Sequence, residues 1–106
     1  MTGITGTWRI TWMETWPQEF VDLVEPGYFR FYEDGLGDFA FGAVRGDIDY
    51  RVFDDQTRID FSWHGDDDGQ PISGRGWFTL SSGNHAKGRF FIHCGDESAV
   101  ELEKQE

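Results

Sequence analysis

The sequence predicts an all-β protein: an antiparallel up-and-down meander of about eight strands, closed or nearly closed into a barrel. Three observations carry this. Apolar and polar residues alternate at period 2 along most of the chain, a helical period occurs only once, and Gly, Asn and Asp turn signals separate the alternating runs. Short strands in a meander lose both exposed edges by closing on themselves. The alternative is an open sheet folded into a two-layer sandwich, because alternation reports a buried face without naming what covers it.

The elements follow in order. From Ile4 to Met13, Trp8, Ile10 and Trp12 fall on one face and Thr7, Arg9 and Thr11 on the other, the pattern of a half-buried strand. Glu14 to Glu25 reads as one short helix or lid, with Pro17 in the first turn, Phe20, Leu23 and Val24 on one side, and Pro26-Gly27 as the stop. Phe29 and Phe31 then alternate with Tyr28, Arg30 and Tyr32 before a turn at Asp34-Gly35-Leu36-Gly37. Phe39, Phe41 and Ala43 alternate with Ala40, Gly42 and Val44, a turn is expected at Arg45-Gly46, and Ile48, Tyr50 and Val52 form the fourth strand. After the polar turn Asp54-Asp55-Gln56, the fifth strand places Ile59, Phe61 and Trp63 opposite Asp60, Ser62 and His64. Gly65 to Ser73 reads as the longest polar loop. Strand six runs from Gly74 to Ser81, Ser82-Gly83-Asn84 turns, strand seven runs from His85 to His93, and Ser98 to Glu103 supplies the last strand with Val100 and Leu102.

Composition limits the rest. A chain of 106 residues, read as one domain over 1–106, with 38% hydrophobic and 17% aromatic residues, buries a dense core, so a disordered reading fails. Nine Lys and Arg against twenty Asp and Glu leave a net charge of −11, which argues against direct binding of nucleic acid or an anionic membrane. One cysteine, Cys94, excludes an internal disulfide, and no apolar run approaches the roughly 20 residues of a membrane span. A cytoplasmic location is the expectation.

Gly6-Thr7-Trp8, at the opening of the first strand, resembles the Gly-x-Trp signature of the lipocalin and wider calycin barrels, with Trp8 closing one barrel end. The resemblance implies a basic partner for Trp8 and a small hydrophobic ligand. The segments FGAVRGDIDYR, IDFSWHG, SGRGW and GRFFIHCGDES resemble a group of small bacterial proteins of unknown function, which supports the fold and implies no activity.

Motifs that carry chemistry are explained by turns and strands. Gly35 to Ala40 matches Gly-x-Gly-x-x-Ala, but pyrophosphate binding needs a following helix, and Phe39 and Phe41 make a strand. Gly74-Arg75-Gly76 lacks the third glycine. Asp66-Asp67-Asp68-Gly69 lacks the distal bidentate Glu of a calcium loop and reads as a solvated turn. His93 and Cys94 are neighbours on a strand and point to opposite faces, so joint metal ligation with His64 is awkward and a packed Cys94 is expected. No Gly-x-Ser-x-Gly elbow occurs, and carboxylate pairs such as Asp47 with Asp49, or one including Asp60, are expected by chance among twenty acids. No enzyme, metal site or cofactor is therefore expected.

The least random feature is charge asymmetry. Between Gly69 and Gly95 there is no acid, while Arg75, Lys87 and Arg89 are basic. If these three share a face, the hairpin through Ser82-Gly83-Asn84 has an even register sum and a three-residue loop, and Phe78, Leu80, Phe90 and Ile92 turn inward. Trp77 and Phe91 then share the outer face with Arg75, Arg89 and His93, residue types enriched at protein interfaces. The competing reading is that the segment Trp16 to Val24 covers this patch.

The favoured expectation is a non-catalytic module that binds a protein partner or a second copy of itself, with Arg75, Trp77, Arg89, Phe91 and His93 as contacts. Calycin-type binding of a small hydrophobic ligand is one alternative. An acidic mimic of nucleic acid, as in some inhibitor and immunity proteins, is the other.

Overall fold

Alternation does produce strands, and the register they adopt decides which side chains meet. The computed structural model describes residues 3–53 and 57–105, so the turn expected at Asp54-Asp55-Gln56 lies outside the described residues. It contains β1 (Gly6–Met13), α1 (Gln18–Val21), β2 (Tyr28–Phe31), β3 (Leu36–Phe41), β4 (Val44–Phe53), β5 (Arg58–Asp67), β6 (Gln70–Leu80), β7 (His85–Ile92) and β8 (Glu97–Lys104). Each strand pairs antiparallel with the next, and β8 pairs with β1, which closes the barrel in meander order and excludes the sandwich.

Aromatic rings fill the interior. Trp8, Phe29, Phe31, Phe39, Phe41, Phe78 and Phe90 are each at most 1% exposed. Phe29 stacks on Phe39 with centroids 5.0 Å apart, and Trp63 stacks on Phe90, also at 5.0 Å. Burying each such side chain contributes about 2 to 3 kcal/mol, so these rings dominate the stability. The buried indole N–H groups are satisfied: Trp8 Nε1 donates to the Ile4 carbonyl at 2.8 Å, and Trp63 Nε1 to the Phe91 carbonyl at 3.2 Å. Lys104, the cross-strand neighbour of Trp8, holds its ammonium 5.6 Å from the Trp8 ring.

Four sequence expectations are corrected. First, Trp12 faces outward and is 45% exposed, while Met13 takes the inward position. The β1–β8 register shifts between Ile10 and Trp12, and such a bulge inserts one residue and reverses the alternation beyond it. Second, α1 spans only four residues, and it buries Val21 while Leu23 and Val24 stay 67% and 64% exposed. Pro17 is the N-cap rather than a residue of the first turn, and its carbonyl accepts from the N–H groups of Phe20 and Val21.

Third, two expected connections lie inside strands. Arg45 and Gly46 belong to β4, because Phe41 already pairs with Val44 across the turn Gly42-Ala43; Ala43 is thus a turn residue and Val44 is buried. Gly65 to Ser73 is a hairpin rather than a long loop, since Asp67 pairs with Gln70 and only Asp68-Gly69 intervenes. Both of these residues have positive φ, 52° and 92°, as a type I′ turn requires, and Asp-Gly is a favoured sequence for it. Fourth, Cys94 is exposed at φ 58° beyond β7, so it is not packed in the core.

The segment between β1 and β2 caps one barrel mouth. Trp16 lies 5.0 Å from the Phe41 ring and 6.4 Å from Phe90, and Phe20 lies 6.4 Å from Phe41. Arg9 latches it from β1 by donating to both carboxylate oxygens of Asp22, at 2.7 and 2.9 Å. This segment therefore fills the mouth and does not cover the outside of the β6–β7 hairpin.

Candidate functional site

The acid-free window folds into the β6–β7 hairpin with the even register its charges implied. Arg75 pairs with Phe91, Trp77 with Arg89 and Thr79 with Lys87. Ser81 N–H donates to the His85 carbonyl at 2.9 Å, leaving Ser82 to Asn84 as the loop. Phe78 and Phe90 are buried, Leu80 and Ile92 are half-buried against the core, and Gly76 and Gly88 are buried between them. The odd-numbered residues, Arg75, Trp77, Arg89 and Phe91, consequently share the outer face.

Each of these residues has a neighbour that holds it flat on the sheet. The Arg75 guanidinium lies 4.6 Å above the Phe91 ring. Arg58, from β5, lies 4.5 Å above the Trp77 ring and donates to Asp60 at 2.7 Å. Cation–π contacts of this kind fix ring orientation at the surface. Arg89 donates to Glu97 at 3.0 Å and to Glu14 at 3.5 Å. The face is therefore close to neutral rather than basic, because β8 and the end of β1 bring acids to its bases. His93 is exposed in the turn after β7, where its N–H donates to the Ser73 carbonyl at 2.7 Å.

Sequence reasoning missed the residue that completes this face. The outward Trp12 stands on β1 across β8 from the hairpin, and a groove of about 470 Å³ separates it from Trp77. Gly88 and Ala99 line the groove between the two indoles, with Lys87, Arg89 and Glu101 at its rim. In the ladder Thr79 pairs with Lys87, Lys87 with Glu101, and Glu101 with Trp12, so one row crosses four strands. The adjacent apolar pair Trp12-Met13 was the available signal, since strict alternation cannot bury both.

The other candidate chemistry is not gathered. His64 pairs across the sheet with Asp47 and Ser73, and Asp66 spends one carboxylate oxygen on the Gly69 N–H at 3.2 Å within its own turn. Among the described residues no group of three or more His, Cys, Asp and Glu is placed to hold a metal ion, and no helix is long and apolar enough to cross a membrane. The chain matches no protein-family model, no curated protein and no solved structure.

Proposed function

We propose that the protein is a non-catalytic binding module that recognises another protein through the outer face of β6, β7, β8 and β1. The groove between Trp12 and Trp77 is the observation that carries this reading. Two indoles flank a floor of small residues beside a fixed arginine, and Trp and Arg are the residues that most often anchor protein contacts. The calycin reading draws support from the closed barrel and from Lys104 over Trp8. A ligand in the lumen, however, would have to displace rings already in mutual contact, such as Phe29 on Phe78 at 5.1 Å. Nucleic-acid mimicry is less favoured because outward carboxylates of β3 to β5 are partly neutralised in place: Asp38 by Arg30, Asp49 by Arg51 and Asp60 by Arg58.

Capture of a partner from the native host by the immobilised chain tests the reading. Trp12→Ser with Trp77→Ser is expected to abolish capture at unchanged melting temperature, since neither ring belongs to the core. Leu36→Ser, on β3 across the barrel, is expected to leave capture intact. A complex that survives the double substitution and dissolves with moderate salt would instead identify the acidic side as the contact.

A further inference from the structure

The row that crosses the groove carries a pattern which the groove alone does not explain. At the β5 edge of this face Arg58 meets Asp60, and on it Arg75 covers Phe91, Arg89 meets Glu97 and Glu14, and His85 Nε2 lies 3.4 Å from the Glu103 carboxylate. Lys87 and Glu101 are different. They are direct cross-strand partners at the rim of the groove, yet neither side chain forms an ion pair with another described residue. An opposite-charge pair left open beside the exposed Trp12 and the half-buried Trp77 is a surface prepared for a partner that offers the same pair in reverse.

We infer that this face is self-complementary and that its occupant is a second copy of the chain, an inference that rests on the outer face being the contact surface. The strand order β6-β7-β8-β1 supplies the symmetry. A two-fold axis lying between two copies and running along the β7–β8 seam exchanges β7 with β8 and β6 with β1. Lys87 of each copy then sits over Glu101 of the other, and Trp12 of each copy enters beside Trp77 of the other. Such an interface is isologous: residue i meets j and j meets i, so both ion pairs form at once.

Charge also selects this face. Two chains of net charge −11 repel on approach, and the acids of β3 to β5 and their connecting turns outnumber the bases there. The β6–β7 hairpin is the one long acid-free stretch, and its bases balance the acids of β8. Contact across it brings the two copies together where their like charge is least, while groove and indoles exclude water from the facing pairs.

Sedimentation equilibrium of the full chain and of charge-reversed variants tests this. The wild-type chain is expected to dimerise. Lys87→Glu places two acids opposite each other in the homodimer and Glu101→Lys places two bases, so each variant alone is expected to be a monomer. An equimolar mixture of the two variants restores both pairs and is expected to dimerise again. Trp77→Ser is expected to weaken the wild-type dimer about thirtyfold. A wild-type chain that remains a monomer across the micromolar range overturns the inference, and so does a dimer indifferent to both reversals. If partner capture is still lost with Trp12 and Trp77 in that case, the binding-module reading stands without self-association; if capture also persists, both fall.

Discussion

Asp22 shows how one side chain can hold a segment that is too short to hold itself. A four-residue helix with no side-chain cap has little stability of its own, so the mouth-capping segment depends on tertiary contacts. Asp22 accepts from both Arg9 nitrogens, from the Gln18 amide at 3.0 Å and from the Gly27 N–H at 2.8 Å. The Arg9 hydrogen bonds, followed by those from Gly27 and Gln18, hold this carboxyl well below the usual carboxylate range against an opposing desolvation. A depressed folded pKa contributes stability that is fully present above the unfolded carboxylate value of about 3.9 and is lost as pH falls through the folded value. Asp22→Asn is therefore expected to destabilise by about 1 to 2 kcal/mol at neutral pH, with the difference from wild type narrowing below about pH 4. Denaturant melts at several pH values check this. No gap at neutral pH would show that the segment is held by Trp16 and Phe20 alone, and a gap that does not change with pH would show that the Asp22 charge contributes nothing to it.

At the scale of elements, the β6–β7 hairpin is fixed by steric fit as much as by alternation. Gly88 faces inward beneath Phe78, and a Cβ there would lie 1.8 Å from the Trp77 carbonyl oxygen, closer than backbone can yield without separating the strands. Gly83, in the loop of the same hairpin, has nothing within 4 Å of an added Cβ. Gly88→Ala is expected to cost about 3 kcal/mol, and Gly83→Ala no more than about 0.5 kcal/mol. Thermal or denaturant melts of the two variants measure the contrast, and equal effects would show that β6 and β7 sit farther apart than the register implies. The β1 bulge belongs to the same scale: one inserted residue sends Trp12 outward and Met13 inward, which creates the groove.

At the scale of the whole molecule, closure couples every strand to the next and leaves one aromatic core shared by all eight. The cap joins that core through Trp16, and the Gly42 N–H donates to the Val21 carbonyl at 3.0 Å. A single cooperative unfolding transition is expected, with coincident midpoints for tryptophan fluorescence and far-ultraviolet circular dichroism. An earlier fluorescence transition would show the cap opening as a separate unit. The polarity of the molecule also belongs to this scale: acids gather on the outside of β3 to β5, while the opposite side presents aromatics among charges of both signs.

How much of this was legible in the sequence follows from the range of each interaction. Alternation is local, because successive side chains on a strand point to opposite faces, so the strand content, the inward Phe29, Phe39, Phe61 and Phe90, and the even register of the β6–β7 hairpin could be read directly. The Asp68-Gly69 turn was also written in the sequence, as a favoured type I′ pair, but the surrounding acids made it resemble a loop. Pairing between β1 and β8 was not legible, since it joins residues about ninety positions apart and nothing in either segment alone specifies the bulge between Ile10 and Trp12. Leu23 and Val24 were misplaced for a similar reason: the helix stops at Val21, where the buried position is set by contact with the β3–β4 turn. The sequence by itself determined an acidic, aromatic-cored β meander and the outward side of one hairpin. Only the closed tertiary structure brought Trp12, Glu101 and Lys87 into one row with Thr79, beside Trp77, because a surface made by four strands exists only once their mutual register is set.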